Sequence, residues 1–229
     1  MIIIATLAIG PDFRKGLKKA LDSKRAYANK HGYVYLEGDE AVWDRTRPIA
    51  WSKVGFLLSI LKRVPDGTMV WLSDADVLIT NPDRRLEEHV FPLLPAGKNM
   101  LLFNDACGHL NSGNILMRNC AWLRDFWERV DACSEFTYHI WWENAAIIHL
   151  LESKEIDRGH VVISDDHRRL NAYLQGLPDQ PLWRPGDFLV HFAGVYNISR
   201  MEGLIDAIGA GKIPRISMTD PEKIEFINI

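Results

Sequence analysis

The sequence contains little cysteine and no long apolar run. Its 229 residues include three cysteines, Cys107, Cys120 and Cys133. An odd number cannot pair completely and no Cys-x-x-Cys spacing occurs, so neither a disulfide framework nor a structural zinc site is expected. The longest apolar stretches, 1–9 and 54–61, fall well short of the roughly 18–20 residues that span a bilayer. No basic segment or convincing cleavage site marks a secretory signal. These absences predict a soluble, cytoplasmic protein, with a membrane-peripheral position left open.

An excess of positive charge is also missing. The chain has 27 Lys and Arg residues against 30 Asp and Glu residues, which gives a net charge of −3. Nucleic-acid binding normally requires a strongly basic face, so nucleic acid is not an expected partner. The sequence does contain 47% hydrophobic residues, enough for a full core, and eight tryptophans. Such rings serve either as core filler or as flat platforms for ligands.

Apolar, β-branched runs alternate with helical patterns along the chain. A strand at 2–8, a helix at 13–30 and a strand at 33–36 form a βαβ unit, which favours parallel pairing. Further strands are predicted at 68–73, 100–103, 114–118, 161–164 and 188–192, and further helices at 50–62, 121–130, 143–153 and 200–210. No linker or repeat interrupts this pattern. Residues 1–229 are therefore predicted to form a single α/β domain, with a mostly parallel central sheet flanked by helices and a nucleotide site at the carboxyl ends of the strands.

Two aspartates, Asp74 and Asp76, directly follow the strand at 68–73 with one alanine between them. Two carboxylates at the exposed end of a buried strand can converge on a divalent cation, and hard oxygen ligands suit Mg²⁺ or Mn²⁺. The alternative is a pair of solvated loop aspartates. His191, near the end of the strand at 188–192, is a candidate third ligand because Gly194 permits close approach to a phosphate. The alternative for this residue is a core histidine.

Six sequence blocks between residues 24 and 194 carry a resemblance to a known family. They are KRAYANKHGY at 24–33, WSK at 51–53, VWLSDAD at 70–76, LNSGNILMRN at 110–119, WENAAIIHLL at 142–151 and HFAG at 191–194. Each block alone is degenerate, but the six in this order resemble glycosyltransferase family 34, the α-galactosyl- and xylosyltransferases.

The resemblance implies a GT-A fold and transfer of a hexose or pentose from a nucleoside-diphosphate sugar to a glycan or glycoconjugate hydroxyl. It implies a UDP-linked donor, Mn²⁺ or Mg²⁺ as cofactor and retention of anomeric configuration. By position, the implied metal ligands are Asp74, Asp76 and His191. The implied donor-binding residues are Thr6, Lys53, Asp74, Asp76, Asn111 and Gly194, with the Lys53 ammonium beside the donor phosphates.

Under the same resemblance, Glu143 and Asn144 are the catalytic residues near the anomeric carbon, and Trp141 and Trp142 bind the acceptor. Trp43 is also expected near the sugar, whereas Trp71, Trp122 and Trp127 are expected to pack in the core. The alternatives are an ordinary helix-start carboxylate for Glu143, a plain turn for Asn111 and a solvated lysine for Lys53. Retention is possible through same-face attack by the acceptor or through a covalent intermediate on Glu143, and the first is favoured.

One departure from the family pattern concerns the residues after the HFAG block. The family carries a cysteine and a lysine that reaches the diphosphate, whereas this chain continues with Val195-Tyr196-Asn197 and has Arg200 as its nearest cation. A different residue must therefore neutralise the leaving group.

Other functions remain as alternatives. A non-catalytic domain that binds sugars or nucleotide sugars would explain the tryptophans but not the combination of Asp74, Asp76 and His191. A sugar nucleotidyltransferase would normally show a glycine-rich basic loop after the first strand, which residues 8–13 do not resemble. A phosphatase or phosphotransferase would place its aspartates after the first strand of the domain.

Overall fold

The computed structural model describes residues 1–227. Its strands are β1 (Ile2–Leu7), β2 (Val34–Gly38), β3 (Met69–Ser73), β4 (Val77–Ile79), β5 (Met100–Asn104), β6 (Leu110–Arg118), β7 (Val161–Ser164), β8 (Leu189–His191), β9 (Ile213–Ile216) and β10 (Ile224–Ile227). Its α-helices are α1 (Pro11–Gly16), α2 (Lys18–His31), α3 (Ser52–Leu61), α4 (Leu86–His89), α5 (Ala121–Ala132), α6 (Trp142–Glu152) and α7 (Ile198–Gly209). No helix among these residues is both long and apolar enough to cross a membrane.

Six strands form the central sheet in the order β2-β1-β3-β6-β5-β7. The pairs β1–β2, β1–β3 and β5–β7 are parallel, and β6 alone runs against its neighbours β3 and β5. All five residues of β3 are buried, as expected for an apolar strand in the middle of a sheet covered on both faces. The predicted mostly parallel sheet is confirmed.

Helices cover both faces of this sheet. On one face, α3, α5 and α6 pack their apolar side chains against the strands, and Trp127 is fully buried among them. On the other face, α2, β4 and α4 pack against a cluster that contains the fully buried Trp71. The predicted core positions of these two tryptophans are confirmed, whereas Trp122 is only partly buried and stacks on Phe126. A third apolar cluster joins the start of α2 to α7 and β9.

The prediction of one helix over 13–30 is wrong at its N-terminal end. The structure has two helices that meet at Leu17, whose ψ of 10° leaves the helical range. A Cβ on Gly16 would lie 1.9 Å from Cγ2 of Ile198, so the last turn of α1 lies directly against α7. Tertiary packing against α7 has overridden a continuous helical pattern.

The sequence prediction also missed β4, β9 and β10. β4 has three residues, too few for a recognisable period, and it pairs with β8 in a separate two-stranded antiparallel sheet. The strand predicted at 188–192 is therefore present but lies outside the central sheet. In this pairing Val77 is opposite His191. Because Asp76 directly precedes Val77, the β4–β8 sheet also brings His191 beside Asp76.

Candidate active site

A cleft of about 500 Å³ opens where β3 and the β4–β8 sheet meet the start of α6. The predicted site residues that line it are Lys53, Asp74, Asp76, Asn111, Trp141, Trp142, Glu143, Asn144, His191 and Gly194. Two predicted residues are not among its lining residues within 1–227. Thr6 is fully buried inside β1, and the Trp43 ring is covered by the Arg45 guanidinium at 4.3 Å from its centroid.

The side chains of Asp74, Asp76 and His191 converge at one end of this cleft. One potential ligand atom from each lies within 4.8 Å of the others, and Nε2 of His191 is 3.4 Å from Oδ1 of Asp76. The backbone fixes this arrangement, because Asp74 N–H donates to the Gly113 carbonyl at 2.7 Å and Phe192 N–H donates to the Asp76 carbonyl at 3.0 Å. Two carboxylates and an imidazole form a donor set that fits Mn²⁺ or Mg²⁺.

Lys24 supports the backbone of this aspartate loop, a role that the sequence prediction missed. Its ammonium is fully buried and donates to the carbonyl oxygens of Asp74 at 2.6 Å and Ala75 at 3.1 Å. Burial lowers the pKa of Lys24 to about 7, although the carboxylates of Asp76 and Asp74 oppose the shift. The available signal was its position in the apolar stripe of the helical pattern, where a solvated lysine is not expected.

Asp76 remains ionised in this setting. Burial pushes the pKa of its carboxyl upward, but the His191 ring and the Lys24 ammonium together hold the pKa below its ordinary value. A carboxylate that keeps its charge inside a partly buried cleft is suited to hold a cation.

Lys53 joins the aspartate loop to α6. Its buried ammonium lies 2.9 Å from Oδ1 of Asp74 and 2.7 Å from Oε1 of Glu143. Burial favours the neutral amine, but these two carboxylates outweigh it and raise the pKa of Lys53 above its ordinary value. The ammonium therefore stays charged between two carboxylates.

Glu143 and Asn144 lie in the first turn of α6, and each has one buried side-chain oxygen without a hydrogen-bond partner among residues 1–227. Glu143 is only 4% exposed, and its Oε2 atom has no hydrogen-bond partner among the described residues. Asn144 donates from Nδ2 to the Leu110 carbonyl at 3.0 Å, while its Oδ1 is buried without a partner in the same part of the chain. Buried oxygens usually have partners, so two free ones beside a cleft indicate a ligand position.

An aromatic wall stands at the mouth of the cleft. Trp141 and Trp142 are 46% and 39% exposed, and the neighbouring Ile140 is 76% exposed. Trp142 has a φ of +42°, a left-handed conformation that is unusual for a bulky residue and found mainly at turns or functional positions. The backbone is therefore strained at Trp142, where two neighbouring indoles are exposed to solvent.

Asn171 was also missed by sequence reasoning. Its Oδ1 lies 2.7 Å from Nδ1 of His191, and its Nδ2 donates to Oδ1 of Asn111 at 3.1 Å. The segment that carries it forms no regular strand or helix, although the Ala172 carbonyl accepts from His191 N–H. No pattern in the sequence marks such a residue, because its contacts exist only after β8 and β6 have been brought together.

Gly113 lies so close to the side chains of His191 and Asp74 that no side chain fits at this position. A Cβ there would lie 2.2 Å from Cε1 of His191 and 3.0 Å from Oδ2 of Asp74. We expect Gly113→Ala to displace His191, to cost about 1–3 kcal/mol in the free energy of unfolding and to weaken Mn²⁺ binding. Denaturant unfolding and calorimetry measure these effects. Gly55→Ala is the control, since nothing lies within 4 Å of the position that an added methyl group would take there; equal behaviour of the two variants would contradict the expectation.

Comparison with known proteins places these features in a family. The family model described as the galactosyl transferase GMA12/MNN10 family matches residues 2–95 and 93–202. A curated relative from Schizosaccharomyces pombe, an uncharacterized alpha-1,2-galactosyltransferase, is 26% identical over 221 residues. That match covers 79% of this chain and 56% of the relative, so the chain spans about half the length of this relative.

Solved structures agree on the fold. A glycosyltransferase involved in glycosylation of the major capsid of PBCV-1 has a TM-score of 0.71, 14% identity and coverage of 90% of this chain and 98% of its own. The galactosyltransferase LgtC, solved with donor and acceptor sugar analogs, has a TM-score of 0.56, 13% identity and coverage of 90% and 95%. The predicted GT-A fold is confirmed. With a matching family model over most of its length, the chain belongs to the galactosyl transferase GMA12/MNN10 family, which is the family that the six sequence blocks resemble.

Proposed function

We propose that this chain is a metal-dependent, retaining glycosyltransferase domain that moves a sugar from a nucleoside-diphosphate donor, a UDP-sugar, to a glycan hydroxyl. The observation that carries the proposal is the convergence of Asp74, Asp76 and His191 in the same cleft as the unpartnered oxygens of Glu143 and Asn144. The cleft volume of about 500 Å³ falls within the range of ligand pockets. We take residues 1–229 as one catalytic domain.

The metal-binding part of the proposal rests on the donor set. Asp74, Asp76 and His191 would hold Mn²⁺ or Mg²⁺ through two carboxylates and one imidazole nitrogen. Such an ion supplies Lewis-acid stabilisation of the negative charge on a departing diphosphate. The β3 terminus and the β4–β8 sheet position these ligands before any ion binds, which keeps reorganisation small.

The catalytic part of the proposal concerns Glu143 and Asn144. Loss of the diphosphate makes the anomeric carbon oxocarbenium-like, and nearby carboxylate or amide oxygens stabilise that charge. Lys53 holds Oε1 of Glu143 at 2.7 Å, and Oε2 has no hydrogen-bond partner among the described residues. Because this ion pair reduces the nucleophilicity of the carboxylate, we favour same-face attack by the acceptor hydroxyl, with the leaving phosphate taking its proton, over a covalent intermediate on Glu143.

The acceptor part of the proposal concerns the aromatic wall. Indole faces stack well on the C–H faces of sugar rings, and Trp141 and Trp142 expose such faces at the cleft mouth. A glycan or glycoconjugate bound there would place a hydroxyl toward Glu143, which neighbours Trp142 in the chain. In this proposal the two indoles form the acceptor-binding part of the cleft, and Asp74, Asp76 and His191 form its metal-binding part.

A thermal-shift panel of UDP, GDP and their sugars, with and without Mn²⁺, tests the donor and the metal together. A ligand at 100 times its Kd stabilises the native state by about 2.7 kcal/mol, which corresponds to several degrees in Tm for a chain of this size. We expect a shift with UDP-linked ligands only when Mn²⁺ is present, and UDP release from a UDP-sugar under the same conditions. No shift with any pair would contradict the proposal, and a shift without turnover would favour a non-catalytic binding domain.

A further inference from the structure

A chain of buried hydrogen bonds leads from the core to the metal-binding histidine. Trp71 Nε1–H donates to Oδ1 of Asn114 at 2.9 Å. Asn114 Nδ2 donates to Oδ1 of Asn171 at 3.0 Å, and the same Oδ1 lies 2.7 Å from Nδ1 of His191. Trp71, Asn114 and Asn171 are fully buried and His191 is 3% exposed, so water does not compete for these bonds.

The indole of Trp71 sets the direction of each hydrogen bond in this series. An indole N–H can only donate, so Asn114 must turn its carbonyl oxygen toward Trp71 and its NH₂ toward Asn171. Asn171 must then present its own oxygen at that point. Since His191 Nδ1 contacts the same oxygen, Nδ1 must carry a hydrogen and donate it.

The opposite end of the network requires the same orientation. Gly113 N–H, which can only donate, reaches Oδ1 of Asn111 at 2.9 Å. Nδ2 of Asn171 donates to that oxygen at 3.1 Å, and a flipped Asn171 amide would set two oxygens against each other there. Two donors of fixed polarity, one at each end, therefore hold the Asn171 amide in a single orientation.

We propose that Asn171 is a positioning residue that holds His191 in the Nδ1-protonated tautomer, with the lone pair of Nε2 directed to the metal site. This inference rests on the metal-binding part of the proposed function. A neutral ring of this tautomer turns the Nε2 lone pair toward Oδ1 of Asp76, 3.4 Å away. A cation bound between the two atoms then takes the place that a hydrogen on Nε2 fills when the ring is protonated on both nitrogens. The same amide also connects the histidine to Asn111, a cleft-lining residue that the family resemblance assigns to donor binding.

Hydrogen bonds to the second nitrogen of a metal-binding histidine commonly set its tautomer and its affinity for the ion. Here the acceptor is an amide on an irregular segment, not a carboxylate. The backbone around it is nonetheless fixed, because Asn171 N–H donates to the His167 carbonyl at 2.6 Å and His191 N–H donates to the Ala172 carbonyl at 2.7 Å. The Asn171 amide and the His191 imidazole are therefore carried by two backbone segments that are hydrogen-bonded to each other.

The first test reads the tautomer directly in the metal-free protein. Nitrogen-15 NMR of histidine-labelled protein distinguishes the two neutral tautomers, and a His191→Gln spectrum identifies the signals of His191. At a pH above the titration of His191, we expect the Nδ1-protonated form in the wild type and a mixture or the other tautomer in Asn171→Leu, which has no acceptor for that hydrogen. A wild-type His191 protonated on Nε2 alone, or a tautomer unchanged in Asn171→Leu, would overturn the proposal.

The second test measures Mn²⁺ affinity by calorimetry in the presence of UDP. Loss of a partner of a metal-binding histidine typically costs about 10–100-fold in metal affinity, so we expect a loss of that size in Asn171→Leu. Wild-type affinity in Asn171→Leu would overturn the proposal.

A matched control separates positioning from general destabilisation. Asn119 is also a buried asparagine, and its Nδ2 donates to the carbonyl oxygens of Leu61 and Val64, away from the cleft. Asn119→Leu should lose folding stability but keep its Mn²⁺ affinity; an equal loss of affinity would count against a positioning role for Asn171. If wild-type protein binds no Mn²⁺, the proposed function fails, and the tautomer measurement still decides the role of Asn171.

Discussion

Replacing Asp76 by alanine is expected to abolish Mn²⁺-dependent binding of UDP. Among the two aspartates of the loop, Asp76 is the one whose carboxylate lies against Nε2 of His191, at 3.4 Å. Its pKa is held below the ordinary value by His191 and Lys24 despite burial, so it is charged at neutral pH. Removing it leaves one carboxylate and one imidazole, too few ligands for a hard divalent ion that favours oxygen. Calorimetry should show a Kd for UDP at least about 100-fold weaker when Mn²⁺ is present.

Two further variants make this result specific. Asp76→Asn keeps the shape of the side chain but not its charge, and it should lose most of the affinity as well. Asp83→Ala removes one negative charge from an exposed position that pairs with Lys30, and it should bind UDP and Mn²⁺ like the wild type. Unchanged UDP affinity in Asp76→Ala, with the fold intact by circular dichroism, would rule out the metal site.

Much of the candidate metal site follows from local sequence. An apolar strand that ends in two aspartates predicts carboxylates at a sheet edge, and the structure places Asp74 and Asp76 there. His191 was recognised as a candidate from its strand and from the resemblance, yet its contact with Asp76 depends on β4, a three-residue strand that no period reveals. Sequence can identify residues with suitable chemistry at the ends of strands, but the pairing that joins them is a property of the tertiary structure.

The residues that sequence reasoning missed share a physical reason. Lys24 and Asn171 act through backbone carbonyls and a neighbouring ring, and these partners lie 50 and 20 residues away along the chain. Local patterns report burial, periodicity and turns, and they carry no information about a hydrogen bond between distant segments. Lys53 illustrates the same limit, because its place between Asp74 and Glu143 requires α3, β3 and α6 to be packed together.

The charges of the cleft are compatible with the diphosphate donor of the proposed function, although the chain is slightly acidic. Three carboxylates, on Asp74, Asp76 and Glu143, lie near the charged ammonium of Lys53 and near Lys24, whose pKa of about 7 leaves it partly charged at neutral pH. This set has a negative excess, which one divalent cation would neutralise or reverse. Under the proposed function, a diphosphate would then meet the cation without any basic surface, and the lysine that the family carries after the HFAG block would not be required.

Glu143→Gln is expected to separate binding from chemistry. The amide has nearly the same shape, and its oxygen can still accept from Lys53 at the position that Oε1 now occupies, 2.7 Å away. The fold and the UDP affinity in Mn²⁺ should stay within about threefold of wild type. The charge that stabilises an oxocarbenium-like centre is lost, so hydrolysis or transfer from a UDP-sugar should fall at least about tenfold. Calorimetry gives the affinity, and a UDP-release assay gives the rate.

The control for this variant lies on the same helix. Glu152 ends α6 on its exposed side, and Glu152→Gln should leave both affinity and rate unchanged. A parallel loss of UDP affinity and rate in Glu143→Gln would make Glu143 a structural partner of Lys53 and not a catalytic residue. Glu143→Ala distinguishes the two routes to retention: added azide should restore activity if Glu143 were the nucleophile, because azide can take its place at the anomeric carbon. Same-face attack predicts no such rescue, since the vacated carboxylate would never have formed a bond to the sugar.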